Sequence, residues 1–457
     1  MPVTPARQAA YRILCRVESG RAFAVDLLQG PLVSGLQEVD RKLATEIVMG
    51  VLRWRGELDF RIEQLSGKPL KYFDSEVATI LRMGAYQIQF LENVPQWAVV
   101  NEAVELTKAA RKRSAAGLVN AVLRKCQPAA RRPEAQEAGE GGAEVLQAAR
   151  RSFPAWLLDR WESSFGKRAV DSLALSSNAV PRTTLRVTAG ERGEIQQELA
   201  GEGIQTEPAK YANSALYIYS GNVHTSRHLS EGRIVIQDEA SQLVATLLAP
   251  RPGERALDMC AAPGMKASQL AGMLGSGTLV ACDLSPRRLR TMSKLVAGRI
   301  PPDVHLVLLR LDATCDLPFD CRFDRILVDA PCSGTGTLAR NPEIKWRLQG
   351  KDLARLAELQ EKILRSALSV LAPSGRLVYA TCSLEPEENE QVVERVLREA
   401  TGCRLLTASE LSSEFPQLSP LFDSRGYFRT RPDLHAMDGF FAAVIVRSQD
   451  SRVALAA

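Results

Sequence analysis

Two cysteines in this sequence stand where a strand would deliver a reactive group. The stretch Val378–Ser383, VYATCS, carries an alternating apolar segment into Cys382, which has a hydroxyl on either side and is followed by the acidic run LEPEENEQ. Fifty residues earlier Cys332 occupies a similar setting, ILVDAPCSGTG. A thiolate can attack an electrophilic carbon and divide one difficult step into two easier ones. A cysteine is also commonly a small buried hydrophobe, and that reading suits Cys15, Cys126, Cys282, Cys315, Cys321 and Cys403. For Cys332 and Cys382, each closing a strand pattern within a dense polar motif, the chemical reading is the better one.

Acids close three further strand patterns: VACD at Asp283, LRLD at Asp312 and ILVD at Asp329. An acid at the end of the second strand of such a sheet accepts hydrogen bonds from a ribose diol. The turn after the first strand, CAAPGMK (Cys260, Ala261, Ala262, Pro263, Gly264, Met265, Lys266), has a single glycine. A dinucleotide site requires G-x-G-x-x-G, with amides turned toward a pyrophosphate, so a nucleoside cofactor without phosphate fits this turn better.

The elements that position these residues alternate. RALDMCAAPGMKASQLAGML reads as strand, turn and helix, and TLVACDLSPRRLRTMSKLV repeats strand then helix. HLVLLRLD, DRILVDAP, GRLVYATC and GFFAAVIVR supply more strands, with helices over 351–371 and 385–399. Strands joined by crossover helices imply a doubly wound, mostly parallel sheet. Ligands bind such sheets at the carboxyl ends of the strands, which places Asp258–Cys260, Asp283, Asp312, Asp329 and Cys382 on one rim.

Upstream, RTTLRVT, EIQQELAGEGI and ALYIYSG alternate strand, helix, strand, after an amphipathic helix in SFPAWLLDRWESSFG. The front of the chain is helical. Thr4–Pro5 reads as an N-cap with proline at the first helical position, and RKLATEIVMGVLRW, SEVATILRMGAYQIQFL, AVVNEAVELTKAA and AAGLVNAVLRKC continue at helical spacing. The expected organisation is therefore an all-α bundle over 1–127, a linker over 128–150 rich in Ala, Gly, Pro and Glu, a small α+β module over 151–236, and an α/β Rossmann-like domain over 237–450.

Nine cysteines scattered through 457 residues without C-x-x-C spacing make neither a disulfide framework nor a zinc site. His224 and His228 are four apart in NVHTSRHLS, but without a third ligand nearby they are a poor metal site, and no metal is expected. The absence of a signal-peptide pattern and of an apolar run of ~18 residues points to a cytosolic chain with no membrane partner. Residues 1–132 carry 20 Lys and Arg against 13 Asp and Glu, within a chain of net charge +5. A basic helical front end suits a polyanionic partner, with Arg111, Lys112, Arg113 and Arg124 as the candidate surface. The run EPEENE reads as a charged first turn of a helix.

DMCAAPGMKAS, DAPCSGTG and YATCSLEPEENE together resemble three signature motifs of the Sun family of RNA cytosine-5 methyltransferases. VPQWAVVNEAVELTK and GLVNAVLRK resemble the NusB-like RNA-binding domain, and the two likenesses cover nearly the whole chain. They imply transfer of a methyl group from S-adenosylmethionine to carbon 5 of a cytosine in small-subunit (16S) ribosomal RNA. They imply further that Cys260 through Lys266 surround the methionine part of the cofactor, that Asp283 holds the ribose, that Asp312 lies beside the adenine, and that Asp329 lines the site near the methyl group. Cys382 becomes the nucleophile and Cys332 the group that assists release, with Asp329 reading the cytosine edge and Lys266 supplying charge stabilisation. The family pattern usually has a second glycine where Met265 stands. The alternatives are a transfer RNA or DNA cytosine methyltransferase, or a non-catalytic RNA-binding assembly factor. The chain is expected to act as a monomer.

Overall fold

The computed structural model describes residues 3–20, 22–127 and 142–448. The chain forms two compact units, Met1–Pro181 with Thr337–Leu348, and Arg182–Gly336 with Gln349–Ala457.

Among its described residues the first unit has helices and no strand. Its main helices are Pro5–Glu18, Glu38–Arg53, Arg55–Ser66, Ser75–Phe90, Gln96–Ala109 and Ala116–Lys125. Ala6, Ala10, Ile13, Leu14 and Val17 are buried along the first, the face its periodicity predicts. Thr4 precedes that helix, but its side chain caps nothing there. Its backbone N–H and hydroxyl both donate to Glu102 Oε2 at 2.8 Å, and Arg7 pairs with the other carboxylate oxygen at 2.8 Å. Gly50 lets two helices touch: a Cβ there would lie 1.8 Å from the Tyr86 ring.

The expected linker falls largely on residues 128–141, outside the described residues. Its remainder is a helix, Ala143–Arg151, with Gly142 at the N-cap, Glu144 in the first turn and Arg150 and Arg151 in the last. The charges suit the helix dipole, and Ala149 is fully buried. Helices Ala155–Phe165 and Lys167–Asn178, the start of the expected α+β module, fall within the first compact unit.

The second unit holds two sheets. The smaller consists of β1 (Thr184–Val187), β2 (Gln205–Pro208), β3 (Ala215–Ser220) and β4 (Ile234–Ile236), antiparallel in the order β2-β3-β1-β4. The larger contains β5 (Arg255–Asp258), β6 (Gly277–Asp283), β7 (Val304–Arg310), β8 (Phe323–Asp329), β9 (Leu371–Thr381), β10 (Cys403–Leu405), β11 (Phe428–Arg429) and β12 (Phe441–Arg447). Its order is β10-β12-β9-β8-β5-β6-β7, with β11 beside β12. β5 through β9 run parallel to their neighbours, and β12 closes antiparallel on β9. Alternate residues feed two cores: Leu327, Val378 and Val444 enter one, and Ile326, Val328, Leu377, Tyr379 and Ile445 the other. A sheet covered on both faces explains the near-continuous apolar runs of its central strands. The chain leaves β5 for β6 and β7 on one side and returns to β8 and β9 on the other, so strand order reverses between β5 and β8, where such sheets bind ligands.

The expected catalytic domain, 237–450, is interrupted: Thr337–Leu348 packs with the helical unit. The segment supplies partners to helix ends, whose last carbonyls and first amides lack them. Lys345 Nζ donates to the Arg53 carbonyl at 2.9 Å and Trp346 Nε1 to the Leu52 carbonyl at 3.2 Å, both at the end of Glu38–Arg53. Arg347 donates to the Val17 carbonyl at 2.7 Å, and the Ala24 amide donates to Glu343 Oε1 at 2.6 Å. Lys345 is fully buried, also donates to Asn178 Oδ1 at 2.7 Å, and lies 4.1 Å from the centre of the Phe153 ring.

Burial, and after it the charge of Arg53, holds the Lys345 pKa well below the ordinary lysine value of 10.5. The unfolded chain then binds this proton where the folded chain does not, so stability rises with pH between the lowered value and 10.5. In urea unfolding of the full chain, the stability difference between wild type and Lys345→Met should shift in favour of wild type from pH 7 to pH 9. A constant difference would mean that the folded lysine titrates normally.

Candidate active site

The rim is built from the ends of β5, β6, β8 and β9. After β5 the backbone is pinned on both sides, Met259 N–H to the Leu327 carbonyl at 3.0 Å and Ala261 N–H to the Cys282 carbonyl at 2.8 Å. The turn passes through a cis Ala262–Pro263 bond to Gly264, whose φ of +106° is a glycine conformation. A Cβ on Gly264 would lie 2.7 Å from Met292 Cγ and 2.8 Å from Val296 Cγ1, so this position is doubly restricted. Met265 opens helix Met265–Leu274 and is not among the non-glycine residues with positive φ. A methionine in place of the usual second glycine therefore forces no strained backbone. Ala261 and Ala262 are buried, Cys260 is partly so, and Pro263 is exposed. Arg186 of β1 braces the helix start, donating to Ser268 Oγ at 2.9 Å and the Met265 carbonyl at 3.2 Å.

The acids differ in their surroundings. Asp283 is buried, accepts from Ser285 N–H at 2.8 Å and pairs with Arg288 at 3.2 Å. Arg288 also donates to the Ala262 carbonyl, which ties the acid to the turn. Asp329 Oδ2 pairs with Lys266 Nζ at 2.8 Å, and Lys266 stands 5.1 Å from the centre of the Phe440 ring. Burial works against the Lys266 charge, but Asp329, then Cys382 and Asp258, hold its pKa above the ordinary value. Asp312 lies beyond the end of β7, is exposed, and has its carboxylate taken up by Thr314 N–H at 3.0 Å and Thr314 Oγ1 at 2.6 Å. Those bonds, hydroxyl first, lower its pKa.

Asp258 is the acid with no good partner. It is buried, neither oxygen makes a well-formed hydrogen bond, and the Cys260 backbone contributes only weakly. Burial, then the charge of Asp329, lifts its pKa to about 7. Burial and the same acids push the Cys260 thiol up as well. The rim offers carboxylate oxygens as acceptors, its cations Lys266 and Arg288 are already paired, and its turn has one glycine, so it suits a phosphate-free nucleoside better than a pyrophosphate. S-adenosylmethionine, with a sulfonium, an ammonium and a ribose diol, fits that set of residues.

The two cysteines meet. Cys332 Sγ and Cys382 Sγ lie 3.3 Å apart, and the described cysteines are all free thiols. The Cys332 pKa is raised well above the usual thiol value, first by its hydrogen bond to Cys382 and then by burial. The acidic run after Cys382 is not the charged first turn that the sequence suggests. Its helix begins only at Glu390, while Glu385, Glu388 and Asn389 are buried. Glu388 and Arg288 are the site residues that sequence reasoning missed. The SPRRLR start of helix Pro286–Val296 was the available signal for Arg288.

Outside this rim, His224 is exposed, whereas His228 is buried with Glu198 Oε2 at 3.2 Å. No cluster of three or more His, Cys, Asp or Glu able to hold a metal occurs among the described residues, and no described helix is long and apolar enough to cross a membrane. In the helical unit, Arg111, Arg113 and Arg124 are exposed. Lys112 is instead paired with Asp74 at 3.0 Å and is not an open cation. Arg124 borders an open groove of about 630 Å³ lined also by Gln96, Asn101, Asn120 and Trp97, a residue 66% exposed.

Comparison with known proteins identifies the family. The profile described as "16S rRNA methyltransferase RsmB/F" matches residues 245–446, "NusB family" matches 4–128, and "Methyltr_RsmF/B-like, ferredoxin-like domain" matches 153–224. The probable ribosomal RNA small subunit methyltransferase B of Bacillus subtilis is 32% identical over 96% of this chain and 98% of its own length. The ribosomal RNA small subunit methyltransferase B of Pseudomonas putida is 33% identical over 98% and 99%. Among solved structures, a methyltransferase homolog protein from Pyrococcus horikoshii is 28% identical, with a TM-score of 0.56 over 67% of this chain and all of that one.

Asp283→Asn keeps an oxygen for Ser285 N–H and removes the charge offered to a diol. Calorimetry should show S-adenosylmethionine binding weakened by about 1.5–3 kcal/mol, the size of a hydrogen bond to a charged group, in a protein that remains folded. Unchanged affinity would remove Asp283 from the ribose site.

Proposed function

Because the chain belongs to the 16S rRNA methyltransferase RsmB/F family, we propose that its methyl transfer proceeds through a covalent adduct in which Cys382 attacks the base and Cys332 assists release. The reaction is S-adenosylmethionine-dependent methylation of cytosine carbon 5 in 16S ribosomal RNA. When bound, S-adenosylmethionine supplies an electrophilic methyl group.

The reading rests on one observation above all, two sulfurs 3.3 Å apart at the ends of β8 and β9, beside the Lys266–Asp329 pair. Cytosine carbon 5 is too weak a nucleophile to take the methyl group unaided. Addition of the Cys382 thiolate to carbon 6 makes the ring an enamine that is nucleophilic at carbon 5. After transfer, the proton on carbon 5 must be removed and the carbon–sulfur bond broken. Cys332, held protonated by its neighbours, is poorly suited to attack; in release it can give its proton to the departing Cys382 sulfur and, as the thiolate so formed, take the proton from carbon 5. Asp329 is the acid available to the amino and ring-nitrogen edge of cytosine. Lys266 offsets negative charge at Cys382 and Asp329. A target base must leave any stack to reach these thiols, which favours an exposed loop nucleotide.

For the helical unit the proposed partner is the same RNA, met by Arg111, Arg113 and Arg124 with Trp97 as a stacking surface. Neutralising the three arginines should weaken binding of a 16S fragment and flatten its salt dependence by roughly 0.7–0.9 in slope for each phosphate left without its arginine. An unchanged slope would leave these residues as solvated charge.

The thiols separate by phenotype. Cys382→Ala should abolish both methylation and any covalent adduct. Cys332→Ala should still attack and transfer but stall at release, leaving protein joined to RNA through Cys382 on a denaturing gel. Adduct in Cys382→Ala and none in Cys332→Ala would exchange the roles. Methylation surviving in both, without adduct, would end the covalent mechanism.

A further inference from the structure

We propose that Glu388 is a positioning residue that clamps the two cysteine-bearing turns together and so sets the spacing of the Cys332 and Cys382 sulfurs; this rests on the two-thiol reading above and deepens it.

Glu388 is fully buried, and each of its carboxylate oxygens is used twice. Oε1 accepts from Ser333 N–H at 2.8 Å and from Gln360 Nε2 at 3.0 Å. Oε2 accepts from Ser383 Oγ at 2.5 Å and from Ser333 Oγ. Ser333 follows Cys332 and Ser383 follows Cys382, so a single carboxylate grips the residue after each thiol. Their hydroxyl oxygens stand 3.0 Å apart because both point at the same acceptor. The residue before Cys332 is tied to the same point, since Gln360 Nε2 also donates to the Pro331 carbonyl at 2.9 Å. Glu388 is itself fixed to β9, its backbone carbonyl accepting from Tyr379 OH at 2.6 Å.

The energetics favour a purpose beyond packing. No lysine or arginine pairs with Glu388 among the described residues, and a buried carboxylate without a counter-cation is costly unless its lone pairs are filled. Here they are filled by the two cysteine turns and by the helix Gly350–Ser369 behind them, in charge-assisted bonds about twice as strong as neutral ones. An apolar residue would fill the space without that cost, but it would not fix two loops that approach from different strands. The clamp also has an electrostatic effect. After the Cys382 hydrogen bond, burial and the Cys382 charge, the charge of Glu388 helps keep the Cys332 thiol protonated.

The test reads geometry and turnover separately in full-length protein. With diamide as oxidant, the two thiols give up two electrons and two protons to the reagent and form a disulfide, which peptide mass mapping follows in time. Wild type should cross-link Cys332 to Cys382 readily. Glu388→Ala should cross-link at least tenfold more slowly. Glu388→Gln, whose amide can pair with the serine oxygens, should fall between them. In steady-state assays Glu388→Ala should lose at least tenfold in kcat with KM for S-adenosylmethionine within twofold, and should accumulate the RNA adduct expected of Cys332→Ala. A cross-linking rate within twofold of wild type in Glu388→Ala overturns the proposal. If that variant does not fold, the same result in Glu388→Gln together with Ser383→Ala overturns it. Slowed cross-linking with undiminished turnover, in a protein whose Cys332→Ala variant also turns over normally, would uphold the clamp and refute the two-thiol mechanism.

Discussion

The ion pair between Lys266 and Asp329 is the constraint on which the rest of the site depends. Lys266 belongs to the first turn of the helix that follows the cofactor turn, and Asp329 ends β8. Little of the Lys266 side chain is exposed, so neither charge is well placed without the other. Removing one member of a fully buried pair costs roughly 3–5 kcal/mol, and here the cost is smaller because Asp329 keeps partial contact with water. The pair therefore holds the cofactor turn against the strand that leads into Cys332. Since strand order reverses between β5 and β8, this is also where sheets of this kind bind ligands. The position of one lysine thus joins the turn after β5 to the end of the strand that precedes Cys332.

Around that pair the chain restricts backbone freedom by different means on each side. On the cofactor side, a glycine at φ +106° packs against Met292 and Val296, and an arginine from the small sheet braces the helix behind it. On the thiol side the restraint is polar. Gly336 N–H donates to the Cys382 carbonyl at 2.9 Å, Leu384 N–H to Thr335 Oγ1 at 2.9 Å, and Asn389 Nδ2 to the Ser383 carbonyl at 2.9 Å. A reactive thiol needs both access and a fixed direction, and a hydrogen-bonded loop gives direction without covering the sulfur in side chains.

The strand ends were legible in the sequence because central parallel strands are buried on both faces and read as apolar runs that stop at an acid. Asp258, Asp283 and Asp329 follow that rule and are brought together. Asp312 follows it in sequence, but β7 is an edge strand, and the acid lies past its end in water, held by its own turn. The 337–348 segment was illegible for a different reason. Lys345, Arg347 and Glu343 look like surface residues, and their partners are main-chain groups at helix ends about three hundred residues away, which no local pattern reveals. The helix at Ala143–Arg151 was hidden by composition, since alanine and glutamate occur in linkers as readily as in helices. Glu388 misled in the opposite direction. An acidic run before a helix normally faces water, and only the three-dimensional convergence of Ser333, Ser383 and Gln360 makes its burial tolerable.

That convergence bears on how two thiols in contact come to have different surroundings. Identical groups in contact would share their protons evenly unless their surroundings differ. Cys332 receives the hydrogen bond, the burial and the negative field of Glu388, all of which favour the neutral thiol or oppose its ionisation. Cys382 faces the Lys266 charge, to which it is electrostatically coupled. Two charged residues thus act on different sulfurs, Glu388 on Cys332 and Lys266 on Cys382.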